Sequence, residues 1–432
     1  MSTEKKRLGR DFWVFWGGQS ISNLGSSVTL FALPLLVYKL SGSALNLGIS
    51  TAADMLPYLL FGLVLGAWMD RVDRKRWMIL TDIGRALVVA SIPVAFALGI
   101  LTVWWIYAVG FIHSTLKIMF DTGEFAAIPS LVDRSDFVTA NGRIQASYSG
   151  ASVIGPFLAG VLVAVVPIST LMLVDAASFL ISVVSLVAIR GSFNEEPSET
   201  TERRHILQDV KEGLGYVLRH PVLRNISIMM ALVNFIGTTT YAQLVLFGQT
   251  QLGASYTQVA WLYTASSAGV VVMGLLAGTF RKRWSFSVVA LGALMLSGLL
   301  TVVFSQMRWF WPALVVWGLA GGLGILFNIN TSSLRQSIVP NHMLARVMSI
   351  ASVLAWSAIP LGSVLGGFAI QQTQNVRLVY LVIGVLTILV PFLFSFTALG
   401  HAERYIPSAA APGTSSAKQE APAAGTSAVE LT

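Results

Sequence analysis

Long apolar runs set the outer limit on what this chain can become. Twelve of them fall near residues 13–37, 46–69, 77–99, 102–122, 143–165, 168–189, 223–247, 257–280, 285–305, 309–330, 345–370 and 377–399. Each reaches the length of about 20 residues at which a helix crosses a hydrocarbon core. Lipid offers the backbone no hydrogen-bond partners, so only helices and closed barrels span it. Barrel strands would be shorter and would alternate apolar with polar residues. The runs here are long and apolar on every face. The expected fold is therefore an all-α membrane protein with twelve transmembrane helices. A hydrophobic content of 55% fits no ordinary soluble domain. The first run carries glycines and polar residues without an A-x-A-like cleavage site, and reads as a retained span.

Only 11% of the residues are charged, and their placement orients the chain. If odd spans leave the cytoplasm and even spans return, 23 of the 28 Lys and Arg residues fall on the cytoplasmic side. The opposite side holds only Lys39, Arg308 and Arg377. Such asymmetry places both termini in the cytoplasm of a multi-pass cell-membrane protein. The net charge of +8 thus reflects membrane sidedness and contact with lipids, and nucleic acid is not an expected partner. There are no cysteines, and none of the five histidines has another at metal-ligand spacing. No metal and no cofactor is expected.

The chain is internally duplicated. Gly62-Leu63-Val64-Leu65-Gly66 leads into Arg74-Lys75-Arg76-Trp77, and Gly274-Leu275-Leu276-Ala277-Gly278 leads into Arg281-Lys282-Arg283-Trp284. The offsets are 212 residues at the glycines and 207 at the basic tetrads. Pro156 and Pro360, each among glycines, lie 204 residues apart. The expected organisation is a first six-helix bundle over 1–189, a connection over 190–222, a second bundle over 223–400, and a disordered tail over 401–432. Within the connection, Leu207, Val210, Leu214, Val217 and Leu218 recur at helical spacing. They predict an amphipathic helix along the inner membrane surface. Two related bundles enclosing a midplane site form a secondary-transporter architecture.

The residues between spans 2 and 3 carry a family resemblance. Gly66, Asp70, Arg71, Arg74 and Lys75 resemble the G-x-x-x-D-R/K-x-G-R-R/K signature of the major facilitator superfamily, with Asp73 where glycine is usual. The likeness extends over residues 10–400. Ile128-Pro129-Ser130-Leu131-Val132, Ala140-Asn141 and Asp175-Ala176-Ala177-Ser178-Phe179 resemble its macrolide-efflux-like and siderophore-exporter-like branch of drug:proton antiporters. The resemblance implies that Asp70 reaches the N-terminus of span 11 near Ala345 and latches a cytoplasmic gate. A helix N-terminus carries free N–H groups and about half a positive charge, which suits such a contact. Gly150, Gly155, Pro156 and Gly160 on span 5 resemble the antiporter motif, and a close approach to span 8 at Gly269 and Gly274 is expected.

No Asp or Glu occurs between Glu212 and Glu403. Any proton-coupling carboxylate of the bundles therefore lies in the first half. Asp54, Asp82, Asp121, Glu124 and Asp175 are the acids within or bordering spans, with Arg85 and Lys117 as basic partners. A charge at mid-membrane costs about 2.5–3.5 kcal/mol on insertion scales, so each must pair, face water or bind a proton. Asp82 and Arg85 at i, i+3, and Lys117 and Asp121 at i, i+4, are spaced to pair along single helices. Asp54 has no basic neighbour on its own span. It reads as a protonation site or a counter-charge for a cationic substrate, and equally as a carboxylate bonded to nearby Ser or Thr.

The expected function is proton-coupled export of hydrophobic or amphipathic small molecules by alternating access, by a monomer that is not an enzyme. A dedicated exporter of one endogenous metabolite, such as a siderophore or lysolipid, is the nearer alternative. A membrane-embedded enzyme or a sensor is the more distant one. The chain has no P-loop to support ATP-driven transport.

Overall fold

The computed structural model describes residues 8–69, 72–193 and 206–405. Its helices are α1 (Arg10–Ser41), α2 (Ala44–Met69), α3 (Arg74–Ala97), α4 (Val103–Leu131), α5 (Phe137–Leu162), α6 (Ile168–Ala188), α7 (Ile206–Arg219), α8 (Pro221–Ala242), α9 (Leu244–Gln251), α10 (Tyr256–Arg283), α11 (Phe286–Gln306), α12 (Phe310–Ile338), α13 (Asn341–Trp356), α14 (Ala358–Thr373) and α15 (Val376–Ser395). Among the described residues, 11 helical stretches are long and apolar enough to cross a membrane, one of them running from α13 into α14. Helix α5 is a twelfth of matching length, but Asn141, Arg143, Gln145 and Ser147 make it too polar to qualify on hydropathy.

Short polar residues start many of these helices by accepting hydrogen bonds from otherwise unpaired N–H groups. Asp73 accepts from the Arg76 amide at 3.1 Å and begins α3. Ser255 and Gln258 form a reciprocal capping box at α10. Two spans are broken. Span 7 divides at Gln243, and span 11 divides at Ser357. Pro360 accounts for the second break, since it cannot donate to the carbonyl four residues earlier and its ring crowds that carbonyl, on Trp356. Helix α4 runs nine residues beyond the expected end at 122, through Pro129. The extension is stabilised by burial of Ile128 with Phe12, Ala140 and Ile144.

Within the first half, α1 and α3 pack on α6, and α2 and α3 on α4; within the second, α10 and α11 pack on α12, α11 on α15 and α8 on α14. The halves meet chiefly through α2 on α14 and α5 on α10. One buried cluster joins them, combining Phe31, Leu35 and Leu47 with Phe247, Tyr263 and Tyr380. It lies at the end where α1 finishes and α2 begins. Close backbone contact there requires glycine: a Cβ on Gly48 would stand 2.2 Å from the Ser363 carbonyl oxygen. At the opposite end, which carries the basic loops, each described cluster belongs to one half only. Phe15, Met78 and Phe193 pack in the first, and Val222, Phe286 and Leu399 in the second. Among the described residues, a buried cluster seals the halves together on one face, and none joins them on the basic face, which is parted there.

Two expectations about the connections change. Helix α7 turns Val217 toward Val339, Met343 and Val347 near α13, and Arg346 donates to Glu212 at 2.8 Å. Val217 is thus covered by protein of the second half, while Leu218 on the same apolar face stays exposed. Residues 401–405, expected in the tail, continue a 3-10 segment (Ala398–Tyr405) that buries Leu399 and Ala402, while Glu403 accepts from the Ser287 amide at 3.4 Å. Apolar burial and this bond order them. Residues 406–432 lie outside the described residues.

Candidate functional site: an ion-lined cavity in the first half

A cavity of about 450 Å³ opens between α1, α2, α4 and α5, with Tyr241 and Tyr263 of the second half on its far wall. Asp54, Arg85, Lys117 and Asp121 all line it. Helical periodicity puts Ser114, Lys117 and Asp121 of α4 on one face, and that face looks onto α2. Ser114 donates to Asp54 Oδ1 at 2.6 Å, tying α4 to α2 at mid-membrane. Asp54 makes no ion pair among the described residues. Lys117 Nζ lies 2.5 Å from Asp121 Oδ2, so the i, i+4 pair is formed. Both of its side chains remain about a third exposed to the cavity.

The second pair is buried. Arg85 Nη1 is 3.0 Å from Asp82 Oδ1, with side-chain exposures of 5% and 0%. The Arg85 guanidinium carbon stands 4.0 Å above the Phe179 ring, a geometry in which the ring face attracts the cation. Arg85 Nη2 donates to Ser26 Oγ at 3.3 Å, and Ser26 Oγ donates to Asp175 Oδ1 at 3.3 Å. A polar chain therefore runs Asp82–Arg85–Ser26–Asp175 across α3, α1 and α6. Spacing along α3 reveals only its first link. The remaining links need Ser26, which sequence reading did not select.

Glu124 is buried on α4 and accepts from the Tyr148 hydroxyl of α5 at 2.7 Å. Tyr148 and the buried His113 also line the cavity. Neither was selected from sequence, because a lone Tyr or His in an apolar run carries no spacing signal.

The 2–3 loop residues have separate placements. Asp70 and Arg71 lie outside the described residues. Arg74 donates to the carbonyls of Ala126 at 3.3 Å and Phe193 at 3.2 Å, and Lys75 to the Ile189 carbonyl at 2.5 Å. Lys75 thereby meets the C-cap residue of α6, where the helix dipole is negative. The two cations clamp helices of the first half together.

The span-5 motif divides as well. Gly155 packs on Ser27 of α1, within the first half. Gly160 faces α10 across the two halves, where a Cβ would stand 2.6 Å from the Ala260 Cβ. Pro156 is buried between them, and Gly150 meets nothing. The expected approach to Gly269 and Gly274 does not occur. Gly269 packs on Gly318 of α12, Gly274 has open space, and Thr257 and Ala260 take that place on α10. The contact occurs nearer the sealed end, about two and a half to three turns before Gly269.

The family model described as Major Facilitator Superfamily matches residues 15–360 and 252–427. The multidrug efflux pump Tap of Mycolicibacterium fortuitum is 27% identical over 361 residues, covering 79% of this chain and 85% of that protein. Macrolide efflux protein A of Streptococcus pyogenes is 23% identical over 359 residues, covering 82% and 88%. Among solved structures, an inward-facing, unoccupied bacterial homolog of the human lysosomal transporter Spinster superposes with a TM-score of 0.76. It has 13% identity and covers 94% of this chain and 100% of that one.

Proposed function

This chain belongs to the Major Facilitator Superfamily and is a multi-pass membrane transporter, and from that premise we propose that it exports amphipathic, cationic small molecules in exchange for protons. The observation that carries the reading is Asp54. Its cavity neighbours Lys117 and Arg85 are each committed to another carboxylate, whereas Asp54 has a hydroxyl donor and no cation among the described residues. A carboxylate so placed can take a proton or a substrate cation, one at a time. Competition for one group is enough to couple the two fluxes in opposite directions. The efflux-pump relatives support export, and the clustering of basic loops supports a cytoplasmic location for the parted face.

In this reading substrate enters through the parted face, displaces the proton from Asp54, and the halves rock about the cavity. The buried chain from Asp82 to Asp175 holds α3, α1 and α6 in register during that motion. Asp70 is the latch of the alternate state, closing the basic face against the start of α13. The molecule acts as a monomer in lipid.

Proteoliposomes test the proposal. An imposed pH gradient drives uptake of a fluorescent lipophilic cation such as ethidium into inside-out vesicles of the unaltered protein. Asp54→Asn abolishes the gradient-driven component and leaves passive exchange of the dye. Gradient-driven uptake that persists in Asp54→Asn at the original rate removes Asp54 from the coupling mechanism.

A further inference from the structure

A second cavity lies wholly in the second half and has an opposite character. It measures about 370 Å³ and is bounded by Met230, Val233 and Asn234 of α8 and by Phe327 and Asn328 of α12. No charged side chain lines it. It adjoins the ion-lined cavity, with Thr238 and Ile359 bordering both. No acid occurs anywhere between Glu212 and Glu403, so a cation entering this pocket would meet no counter-charge. An apolar group entering it would exchange water for Met, Val and Phe side chains.

Two glycines set the pocket's width. Gly237 and Gly324 line it from α8 and α12, and neither has any atom within 4 Å of the position a Cβ would take. Other glycines of α12 are demanded by packing: a Cβ on Gly321 would fall 2.4 Å from Ser266 Oγ, and one on Gly322 would fall 2.6 Å from the Gly269 oxygen. Glycine inside a helix is unfavourable relative to alanine, and at 237 and 324 no helix contact accounts for it. What the missing side chains leave is room.

We propose that this pocket is the subsite for the uncharged apolar portion of an amphipathic cation whose charged head sits at Asp54. The inference rests on the export reading and specifies its substrate: one cationic end and one apolar arm long enough to pass Thr238 and Ile359. Asn328, exposed in the pocket, supplies a carboxamide that orients an ether or carbonyl on that arm.

Hexyl-, octyl- and decyltrimethylammonium test the division of labour, with binding measured on the purified full chain in nanodiscs against empty nanodiscs. In the unaltered protein affinity rises with chain length, by up to about fourfold per methylene while the arm is still entering the pocket. Gly324→Leu and, independently, Gly237→Leu fill the pocket from opposite walls. Each flattens the length dependence, weakening the decyl compound at least tenfold and leaving the hexyl compound within twofold. Asp54→Asn weakens all three equally. Gly278→Leu, at an exposed and equally open glycine outside the pocket, reports the effect of the substitution itself and changes nothing. A length dependence that survives in both filled variants overturns the subsite while leaving the export reading standing. Failure of the unaltered protein to bind any of the three overturns the cationic-substrate reading and the subsite with it.

Discussion

Thr257 on α10 donates its hydroxyl to the carbonyl of Gly160 on α5 at 2.8 Å, a hydrogen bond between the two halves of the molecule. Beside it, Ala260 occupies the space that a side chain at residue 160 would need. A second such bond runs from Gln243 Nε2 to the Ala44 carbonyl at 2.7 Å, between the α8–α9 break and the start of α2. Both lie on the sealed side, so breaking them is part of opening that face.

Gly160→Leu wedges α5 from α10 and shifts the population toward the state open on the face without basic loops. The chain has no native cysteine, so spin labels at Val165→Cys and Gln372→Cys report the separation of the halves there without background. The distance distribution moves to longer values in the Gly160→Leu background. An unchanged distribution would show that this contact does not hold the seal.

Arg85→Ala leaves Asp82 buried without its counter-charge, and costs about 3–5 kcal/mol of stability. Adding Asp82→Asn to Arg85→Ala recovers part of that loss. A double-mutant cycle on thermal unfolding in detergent measures the coupling. Additive losses would show that the pair stabilises nothing jointly.

Tyr148→Phe removes the hydroxyl that bonds Glu124 and leaves a buried carboxylate oxygen without a donor. The expected cost is about 1–3 kcal/mol. Glu124→Gln in the Tyr148→Phe background restores some stability, because a neutral amide tolerates the site better than a carboxylate. If Tyr148→Phe unfolds at the temperature of the unaltered protein, the bond is not a stabilising link between α4 and α5.

Sidedness is checked by a membrane-impermeant maleimide on intact cells. Gln372→Cys, exposed on the sealed face, reacts; Lys282→Cys, exposed in the last turn of α10 on the basic face, reacts only after the membrane is permeabilised. The reverse pattern would invert the orientation and turn export into import.

The local pairs were legible before the fold, since i, i+3 and i, i+4 spacing on a helix fixes who can reach whom. Asp82–Arg85 and Lys117–Asp121 follow from that geometry alone. The bonds from Ser114 to Asp54 and from Tyr148 to Glu124 do not, because each joins two helices whose facing sides are undefined in a run that is apolar all round. The breaks at Gln243 and Ser357 and the extension of α4 to Leu131 were likewise hidden, since hydropathy averages over the single turn where a helix bends or continues.

The order of residues determined that the chain crosses a membrane many times, that its basic loops collect on one side, and that its intramembrane acids belong to one half. Lipid enforces those features segment by segment, through the cost of exposing a peptide bond or a charge to hydrocarbon. Only the tertiary structure decided which helix faces meet, and with them that Asp54 is bonded by Ser114 and ion-paired with no cation among the described residues, that Gly160 rather than Gly150 touches the other half, and that a neutral pocket adjoins the charged one. Those outcomes depend on shape complementarity between distant segments, which no property of a single segment contains.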